Sequence, residues 1–507
     1  MISRLCGVSL RFMRPIVQEI ETTHSPESLV GALGNAPGVV LLRSGTQDDR
    51  HARYSFVTAE PFLTFRSFGS RCEVTDPQTP NFKPQTPNAA FQTQFGNPWH
   101  LLDALMARYE LLDELDLPFP LGGCFGFWGY DLKNFVEPRL MRRAVNDLEL
   151  PDSHVGFYDS LVAFDHRLGK AWIISTGLQP DGSRSEERAR ARTSHWQGLL
   201  SSDPDESVLP VPSSVLRPVS SVTSTFTREG FIEAVQRAQH YIRHGHIYQV
   251  NLAQRFTAEC ALTGWEFFQR LAEISPAPFA AYLDGGDFQL ASSSPELFLR
   301  LSGAHITTRP IKGTRPRSAD PTRDAQLTYE LTTSPKEMAE LVMITDLLRN
   351  DLGRVCEFGS VQVPELVRLE RYAQVQHLVS TVEGRLRAGV THFAAFASCF
   401  PGGSITGAPK IRAMEIIDEL EPVTRGPYTG AVGYLGFNRE SQLSIAIRMA
   451  VLRGGLAHYH AGAGIVADSS PEAEHEETLA KARGFLAVIE QASATEIRSG
   501  GAKLAAP

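Results

Sequence analysis

The chain has 507 residues, of which 42% are hydrophobic and 21% are charged, a composition typical of a globular protein with two to four domains or one large domain with insertions. Its 57 acidic side chains outnumber the 49 basic ones, which gives a formal net charge of −8. The sequence therefore lacks the basic excess that binds nucleic acid or an anionic membrane surface, and we expect neither partner.

The cysteines and the hydropathy pattern point to a reducing, aqueous environment. The six cysteines form no CxxC pair and have no histidine pair at zinc spacing: Cys6, Cys72, Cys124, Cys260, Cys356 and Cys399. Free thiols of this kind are typical of cytosolic proteins. No stretch approaches the roughly 20 apolar residues that span a bilayer, and the first residues contain no apolar run of signal-peptide length. We expect a cytoplasmic protein.

Two polar segments interrupt the globular pattern. Residues 76–98 are rich in Pro, Gln, Asn and Thr, which predicts a long surface loop. Residues 179–224 combine a charged stretch with Pro and Ser, which predicts a short helix followed by a linker. We therefore divide the chain into an N-terminal region, 13–178, a linker or insertion, 179–224, and a C-terminal region, 225–495.

The elements follow from the spacing of apolar residues. In the N-terminal region, Val39–Leu42 and Gly122–Tyr130 have the length and composition of strands. The C-terminal region begins with a helix from Thr227 to His244, whose apolar residues recur at helical spacing. Further strands are predicted at Ala280–Leu283, Leu297–Leu301, Ala431–Phe437 and Ser444–Leu452, and helices at Lys336–Asn350, Lys410–Leu420 and Ala473–Ser493. Strands and helices do not alternate regularly, so the predicted class is α+β.

Two acidic pairs lie on separate predicted helices. Glu337 and Glu340 are three residues apart on one helix, and Glu474 and Glu477 are three apart on another. This spacing places both carboxylates of a pair on one helical face, which is more often simply a solvated face. If the two helices meet, however, four carboxylates converge and need a cation. Hard oxygen ligands favour Mg²⁺.

A lysine in the segment RPIKGTRPR, residues 309–317, is a candidate nucleophile. Lys312 must be neutral to act in this way, which costs roughly 4–5 kcal/mol at pH 7 from its reference pKa. Neighbouring cations or desolvation lower that cost. Glu296, in SSSPE, precedes an apolar run and is a candidate general acid at a strand edge. A loop lysine and a strand-terminal charge are the alternative interpretations.

Two glycine-rich segments are candidate anion cradles. PGGSITGAPK, residues 401–410, leads into a predicted helix, as anion-binding loops do. AGAGIVADS, residues 461–469, brings backbone N–H groups close to a ligand. Neither segment has the glycine pattern of a nucleotide-binding loop, so a nucleotide is not indicated.

Together these segments resemble the chorismate-utilising enzymes, which include anthranilate synthase large subunits, aminodeoxychorismate synthase component I, and isochorismate and salicylate synthases. The resemblance extends over nearly the whole chain and is carried by YQVNLAQRF, SSSPE, RPIKGT, KEMAELVMITDLLRNDLG, HLVS, GSITGAPK, GPYTGAVGY, SIAIR, AGAGIVADS and EETLAKAR. It implies a large fold of two sheets packed face to face with helices outside, an α/β/β/α sandwich.

The resemblance also implies roles for individual residues. Glu340 and Glu477 would bind Mg²⁺ directly, and Glu337 and Glu474 would hold its waters. The pyruvyl side of chorismate would contact Tyr428, Arg448, Lys481, Gly462, Ala463 and Gly464. Gly313 and Thr314 would line the ring, His377 and Ser404 would lie close to the reacting centre, and Glu296 would protonate the departing C4 hydroxyl.

Two positions distinguish the branches of this family. Water-adding isochorismate and salicylate synthases have a lysine base where this chain has Gln249. Anthranilate synthases have alanine at the position of Lys312, whereas aminodeoxychorismate synthases have PIKGT, as this chain does. The resemblance therefore favours amination of chorismate at C4, for p-aminobenzoate and folate synthesis. In this branch the lysine attacks ring C2 while the C4 hydroxyl leaves, and ammonia then adds at C4 and expels the lysine.

The family resemblance carries further expectations about partners and rivals. The chain shows no Cys-His-Glu glutaminase module, so ammonia is expected from a separate glutamine amidotransferase subunit. Ser44 and Pro278, Phe279 and Ala280 match a tryptophan pocket of the family, but His51 and Ala52 stand where a Tyr-Ser pair is common. Bound L-tryptophan therefore remains open. The rival functions are anthranilate synthase and a non-catalytic, tryptophan-binding regulatory subunit.

Overall fold

A computed structural model describes residues 14–45, 52–76, 91–112, 115–203, 222–372 and 375–501. Within these residues the helices are α1 (Pro26–Leu33), α2 (Pro98–Met106), α3 (Lys133–Val136), α4 (Glu186–Leu200), α5 (Arg228–Arg243), α6 (Gly264–Ile274), α7 (Pro321–Thr332), α8 (Pro335–Gly353), α9 (His392–Cys399), α10 (Lys410–Leu420) and α11 (Pro471–Gly501). Two short 3₁₀ turns are present at Tyr130–Leu132 and Gly403–Ile405.

The strands in chain order are β1 (Ile16–Ile20), β2 (Val40–Arg43), β3 (Tyr54–Thr58), β4 (Leu63–Phe68), β5 (Arg71–Thr75), β6 (Phe91–Phe95), β7 (Gly123–Trp128), β8 (Ser153–Tyr158), β9 (Ser160–Asp165), β10 (Lys170–Ser175), β11 (Thr223–Ser224), β12 (Gln249–Glu259), β13 (Phe279–Asp284), β14 (Gln289–Ser294), β15 (Leu297–Ser302), β16 (His305–Arg309), β17 (Ile311–Pro316), β18 (Gln362–Arg371), β19 (Val375–Arg385), β20 (Gly407–Ala408), β21 (Ala431–Gly436), β22 (Glu440–Ile445), β23 (Met449–Arg453) and β24 (Leu456–Ile465).

These strands form two twelve-stranded sheets. The first has the order β1-β10-β9-β3-β2-β13-β14-β23-β24-β12-β11, with β20 also pairing β12. The second has the order β17-β19-β16-β15-β22-β21-β7-β8-β4-β5-β6, with β18 also pairing β19. Strands from before and after residues 179–224 share both sheets. They meet where β2 pairs β13 and where β7 pairs β21, both antiparallel.

Aromatic side chains fill the space between the sheets. The ring of Phe56, on β3, lies 5.2 Å from that of Tyr434, on β21, and Phe127, on β7, lies 5.9 Å from Phe288. A second apolar cluster lies under the helices that cover the first sheet, where it includes the buried Trp196 of α4. The α+β class and the two-sheet sandwich predicted from the sequence are confirmed.

Most predicted elements are present, with instructive differences at their ends. The helix predicted from Thr227 to His244 is α5, and the side chain of Thr227 caps its first turn. The single strand predicted over Ser444–Leu452 is wrong, because β22 ends at Ile445 and β23 begins at Met449. Between them Arg448 has a positive φ of 53°, which breaks the ladder.

The two polar segments contain more regular structure than their composition suggested. The loop predicted over 76–98 ends instead in β6, which pairs β5, and in the first turn of α2. The helix predicted within 179–224 is the 15-residue α4, which packs on β9 and β10. Residues 77–90 and 204–221 lie outside the described part of the chain.

The helices and cysteines of the described residues can be compared with two sequence predictions, the lack of a membrane-spanning stretch and the presence of free thiols. None of the helices there has the length and apolar character needed to cross a membrane. Cys72, Cys124, Cys356 and Cys399 are free and buried, and Cys260 is also buried. Cys6 lies outside the described residues.

Candidate active site

One cavity of about 870 Å³ lies against β17, α8, β24 and α11. Most of the residues proposed from the sequence line it: Glu296, Lys312, Gly313, Thr314, Glu337, Glu340, His377, Ser404, Tyr428, Arg448, Gly462, Gly464, Glu474, Glu477 and Lys481. The volume suits a small organic ligand of one ring with side groups. The roles of these residues remain predictions, but their positions make one shared site possible.

Lys312 enters the cavity from β17. Its Nζ lies 3.6 Å from Oε2 of Glu340, on α8. A β-carbon on Gly464 would lie 3.6 Å from the same Nζ and only 2.5 Å from Nε2 of Gln249. Glycine at position 464 therefore leaves the space in which the lysine amine sits.

Glu296 follows β14 and is almost completely buried, with 6% of its surface exposed. The Ser404 hydroxyl donates a 2.6 Å hydrogen bond to its Oε1. Burial raises the pKa of Glu296 to about 7, against the opposing effects of Ser404, Lys312 and Lys481. A carboxyl group in this state holds a proton near neutral pH and gives it up readily, as a general acid must.

His377, on β19, pairs with Thr314 of β17, the strand that carries Lys312. Its Nδ1 and the Thr314 hydroxyl are 2.7 Å apart. Burial lowers the pKa of His377 to about 4, so the ring is neutral at physiological pH. Gly313 has a φ of 68° and its α-carbon faces Leu331 and Glu337, which leaves no room for a side chain there.

The two helices with acidic pairs, α8 and α11, both contribute to the cavity wall. Each carboxylate has a basic neighbour: Glu337 with Arg315 at 3.3 Å, Glu340 with Lys312 at 3.6 Å, Glu474 with Lys336 at 4.0 Å and Glu477 with Lys481 at 2.7 Å. The four acidic groups are thus held in one cavity by a matching set of cations.

The pKa values show that these carboxylates interact electrostatically. Burial raises the pKa of Glu340 and of Glu474, and the negative charge of Glu477 raises both further. Partial desolvation works against ionisation of Glu477 itself, but Lys481 outweighs this and lowers its pKa. Like charges that repel in this way favour the uptake of a cation.

The donor set suits Mg²⁺ in kind, since all four side chains offer hard oxygens. Oε2 of the buried Glu474 has no hydrogen-bond partner among the described residues, which leaves an oxygen free for a water or ion. As they stand, however, no three acidic, histidine or cysteine side chains in the described ranges are grouped to hold one ion. The residues fit the metal chemically, and binding it would require the lysine contacts to loosen.

A basic and hydroxyl-bearing wall adjoins the acidic one, since Lys481 belongs to it and pairs with Glu477. Arg448 reaches the cavity from the break between β22 and β23, and its guanidinium donates a 2.7 Å hydrogen bond to the Lys481 carbonyl. The ammonium group of Lys481 donates to the Gly462 carbonyl, also at 2.7 Å. Tyr428 is buried with its hydroxyl close to Gly462, where a β-carbon would lie 3.0 Å away. This wall can bind a carboxylate.

Two residues expected at the site do not line the cavity. Gln249 is buried behind Gly464, at the start of β12. Ala463 is buried in β24, where it pairs with Leu252. Both support the wall rather than form its surface.

The predicted tryptophan pocket corresponds to a much smaller cavity. Pro278, Phe279 and Ala280 line a space of about 30 Å³ together with residues of β2 and β3, enough for about two water molecules. Ser44 lies beside it, and its hydroxyl donates a short hydrogen bond to the Ala52 carbonyl. His51 lies outside the described residues. Tryptophan binding stays a prediction.

Sequence reasoning missed a buried ion pair that joins several segments of the site. Arg425 is buried, and its guanidinium donates to both carboxylate oxygens of Glu421, at 2.6 and 2.9 Å. It also donates to the carbonyls of Asn251 and Ile405 and lies 5.7 Å from the Tyr428 ring. The i, i+4 spacing of Glu421 and Arg425 was the available signal.

Comparisons with known proteins agree with this geometry. The model of the chorismate binding enzyme family matches residues 57–487. Anthranilate synthase component 1 of Acetivibrio thermocellus is 38% identical over 493 residues, 96% of each chain. Aminodeoxychorismate synthase component 1 of Escherichia coli (strain K12) is 38% identical over 461 residues, 90% of this chain and 95% of the relative.

A solved structure matches as well. Anthranilate synthase component I from Streptococcus pneumoniae TIGR4 superimposes with a TM-score of 0.71 at 30% identity, over 86% of this chain and 92% of that one. The extent of the family match, the identities of the relatives and the shared fold lead to one conclusion. The chain belongs to the chorismate binding enzymes.

Proposed function

We propose that this chain is an aminodeoxychorismate synthase component I, which aminates chorismate at C4 to give 4-amino-4-deoxychorismate in the cytoplasm. The observation that carries the proposal is the position of Lys312. Its amine enters the same cavity as the protonatable Glu296 and lies 3.6 Å from Glu340. A primary amine in this place supplies a covalent nucleophile, which direct amination at C2 does not need.

The proposed reaction balances as two displacements. The neutral Lys312 amine forms a bond to ring C2, the ring double bond shifts, and the C4–O bond breaks. Glu296 gives its proton to the departing hydroxyl, which leaves as water. Ammonia then bonds to C4, the double bond returns, and the C2–N bond to Lys312 breaks. The lysine leaves as the neutral amine, and the proton that the new C4 ammonium group loses returns to the Glu296 carboxylate.

The walls of the cavity would orient the substrate. Arg448, Tyr428 and Lys481 would bind the enolpyruvyl carboxylate through charge-assisted hydrogen bonds. Glu340 and Glu477 would hold a Mg²⁺ ion, with Glu337 and Glu474 on its waters, and the bound ion would supply positive charge for the ring carboxylate. His377 and Thr314 would hold the lysine-bearing strand β17 in place.

Ammonia would come from a glutamine amidotransferase subunit. The support for this partner lies in the relatives named as component 1 of two-component synthases and in the lack of a recognisable glutaminase motif in the sequence. Gln249 in place of a lysine base argues against addition of water.

Anthranilate synthase remains the second candidate, because relatives with that name reach 43% identity over 398 residues. That reaction places nitrogen at C2 and eliminates pyruvate, and Lys312 has no evident part in it. A regulatory subunit without catalysis is a third candidate. The complete set of cavity residues argues against it, because a non-catalytic protein would not need them.

The deciding experiment identifies the product. The full chain is incubated with chorismate, Mg²⁺ and ammonium at alkaline pH, and the products are identified by mass spectrometry. We expect 4-amino-4-deoxychorismate with the enolpyruvyl group retained. Lys312→Ala should lose this product, whereas Lys336→Ala, which removes another lysine of the same cavity, should form the same product as the wild type. Fluorescent anthranilate from the wild-type chain would reject the proposal in favour of the second candidate.

A further inference from the structure

His460, in β24, lines the cavity although no role has been assigned to it above. Its side chain is buried, with only 8% exposed. Cross-strand pairing places it opposite Arg255 on β12. It stands two residues before Gly462, so the two positions share one face of the sheet.

One nitrogen of the His460 imidazole, Nε2, is buried without a hydrogen-bond partner among the residues that the structure describes. His458, two residues earlier on the same face, is instead paired with the Thr257 hydroxyl at 3.0 Å. A buried polar group without a partner is unfavourable, and in a cavity wall the missing partner is expected to be a ligand.

The ring is held firmly at one end of the cavity. It stacks on Tyr428 with ring centroids 5.0 Å apart and an interplanar angle of 10°. Because the Tyr428 hydroxyl lies next to Gly462, His460 continues the wall that Tyr428, Arg448 and Lys481 form. It lies on the far side of Gly462 from Gly464, which faces Lys312.

The charges around His460 decide its protonation. Burial, followed by the positive charges of Arg255 and Arg425 and by His458, lowers the pKa of His460 well below its usual value. A neutral imidazole has one N–H donor and one acceptor nitrogen. Arg255 stands opposite His460 across the β12–β24 ladder, and its positive charge disfavours a second proton on the imidazole. The neutral ring keeps one N–H, which an anionic ligand can accept.

We propose that His460 is a substrate-binding residue that donates a hydrogen bond to the carboxylate of the enolpyruvyl group, beside Tyr428, Arg448 and Lys481. The inference deepens the proposed function but needs only that the substrate is chorismate, so it holds for either amination product. It extends the carboxylate-binding wall to a residue of the strand β24 itself.

The test measures binding rather than turnover. The Mg²⁺-loaded full chain, without an ammonia source, is titrated calorimetrically with chorismate and, separately, with 4-hydroxybenzoate. The second ligand has the ring carboxylate but no enolpyruvyl group. His460→Phe keeps an aromatic ring against Tyr428 but has no donor, and His460→Gln keeps an N–H of similar reach. His458→Gln is the matched control, since it removes a buried histidine of the same strand face outside the cavity.

A hydrogen bond to a charged group is worth enough to weaken chorismate binding by about ten- to a hundredfold in His460→Phe. Binding of 4-hydroxybenzoate should not change, His460→Gln should recover much of the lost affinity, and His458→Gln should bind both ligands like the wild type. The proposal is overturned if His460→Phe binds chorismate normally, or if it binds both ligands more weakly by the same factor. A change of product from 4-amino-4-deoxychorismate to anthranilate would reject the proposed function but leave this result untouched.

Discussion

Glu296 combines burial with access to a reactive cavity. Its carboxyl group is shielded from water, receives a hydrogen bond from Ser404 and faces Lys312 and Lys481. The two lysines and the serine favour the carboxylate, whereas burial favours the neutral acid, and burial prevails. The result is an acid whose pKa of about 7 lies close to neutral pH, where proton transfer in both directions is fast.

A defined pH dependence follows from this pKa. The reaction needs protonated Glu296 and neutral Lys312, whose populations change in opposite directions with pH, so the effect of Glu296 is isolated by comparison with Glu296→Gln. Initial rates of both proteins across pH 6–9, with free ammonia held constant, provide the measurement. Glu296→Gln should lower the rate at pH 7 by about 10²–10⁴-fold, and the ratio of the wild-type rate to the variant rate should fall about tenfold per pH unit above pH 7. A ratio that stays level to pH 9 would exclude Glu296 as the proton donor.

Glu296 also affects the free energy of unfolding. Its replacement should have opposite effects on activity and on stability. Because the folded-state pKa is raised from 4.5 to about 7, the contribution of Glu296 to the free energy of unfolding is complete below pH 4.5 and is lost as the pH rises through 7. At pH 8, the free energy of unfolding of Glu296→Gln should therefore exceed that of the wild type by at most about 3 kcal/mol. Urea denaturation should show this as a higher midpoint concentration. The variant would be inactive but more stable.

Individual side chains of the site differed in how well the sequence indicated them. The motif matches identified the residues from Glu296 to Lys481 that line the cavity, because their spacing and chemistry are unusual. His460 was missed, since only the glycines of its segment suggested ligand binding. Its importance depends on a missing hydrogen bond, and a sequence cannot show which polar groups lack partners.

Helices α8 and α11 act together, although they are far apart in the chain. Each begins with a proline in its first turn and presents two glutamates to the same cavity. The two-residue periodicity of strands and the 3.6-residue periodicity of helices are local properties, so α5 and α10 could be predicted closely. The convergence of α8 and α11 on one cavity, and the turn at Arg448 inside an apolar run, arise from tertiary packing and could not be read from that periodicity.

Binding of Mg²⁺ between these helices should be visible without any turnover. A cation that binds only the folded chain stabilises it, by about 2.7 kcal/mol at a concentration one hundred times its dissociation constant. We expect the melting temperature of the chelator-treated wild type to rise when Mg²⁺ is added. Glu340→Gln combined with Glu477→Gln should remove this rise, because the direct oxygen ligands would be lost.

The matched control for that experiment is Glu415→Gln, which removes an exposed carboxylate paired only with Arg412. It should keep the full response to Mg²⁺. A double variant that is stabilised by Mg²⁺ as much as the wild type would show that the ion binds elsewhere. Activity restored to chelated wild-type enzyme by Mg²⁺ alone would complete the assignment.

The molecule as a whole is held together by strand pairing between its two halves. In the first sheet β2 and β3 continue the ladder beyond β13, and in the second β7 joins β21 to β8. The sequence suggested a division at 179–224 because composition changes there, but hydrogen bonds between distant strands leave no mark on composition. The regions 13–178 and 225–495 remain a division of the sequence whose independence is untested.

Splitting the chain tests that independence. Fragments 1–203 and 222–507, produced separately, should be insoluble or aggregate, because each exposes unpaired strand edges, β2 and β7 in the first fragment and β13 and β21 in the second. Produced together, they should form a soluble complex that binds chorismate. A fragment 222–507 that is monodisperse and unfolds cooperatively on its own would show that the C-terminal region is a domain in its own right.

The ladder between β7 and β21 also constrains how such proteins can be recombined. Gly126 and Gly433 face each other across it, although their crowding comes from strands of their own halves: a β-carbon on Gly126 would meet the His154 oxygen at 2.2 Å, and one on Gly433 the Gln442 oxygen at 2.1 Å. A chimera that takes its catalytic half from one relative and its N-terminal half from another must therefore keep both glycines and restore the antiparallel register of β7 on β21. Genetic exchange within the family is expected to preserve both sides of the seam together, so that the two halves are inherited as one unit.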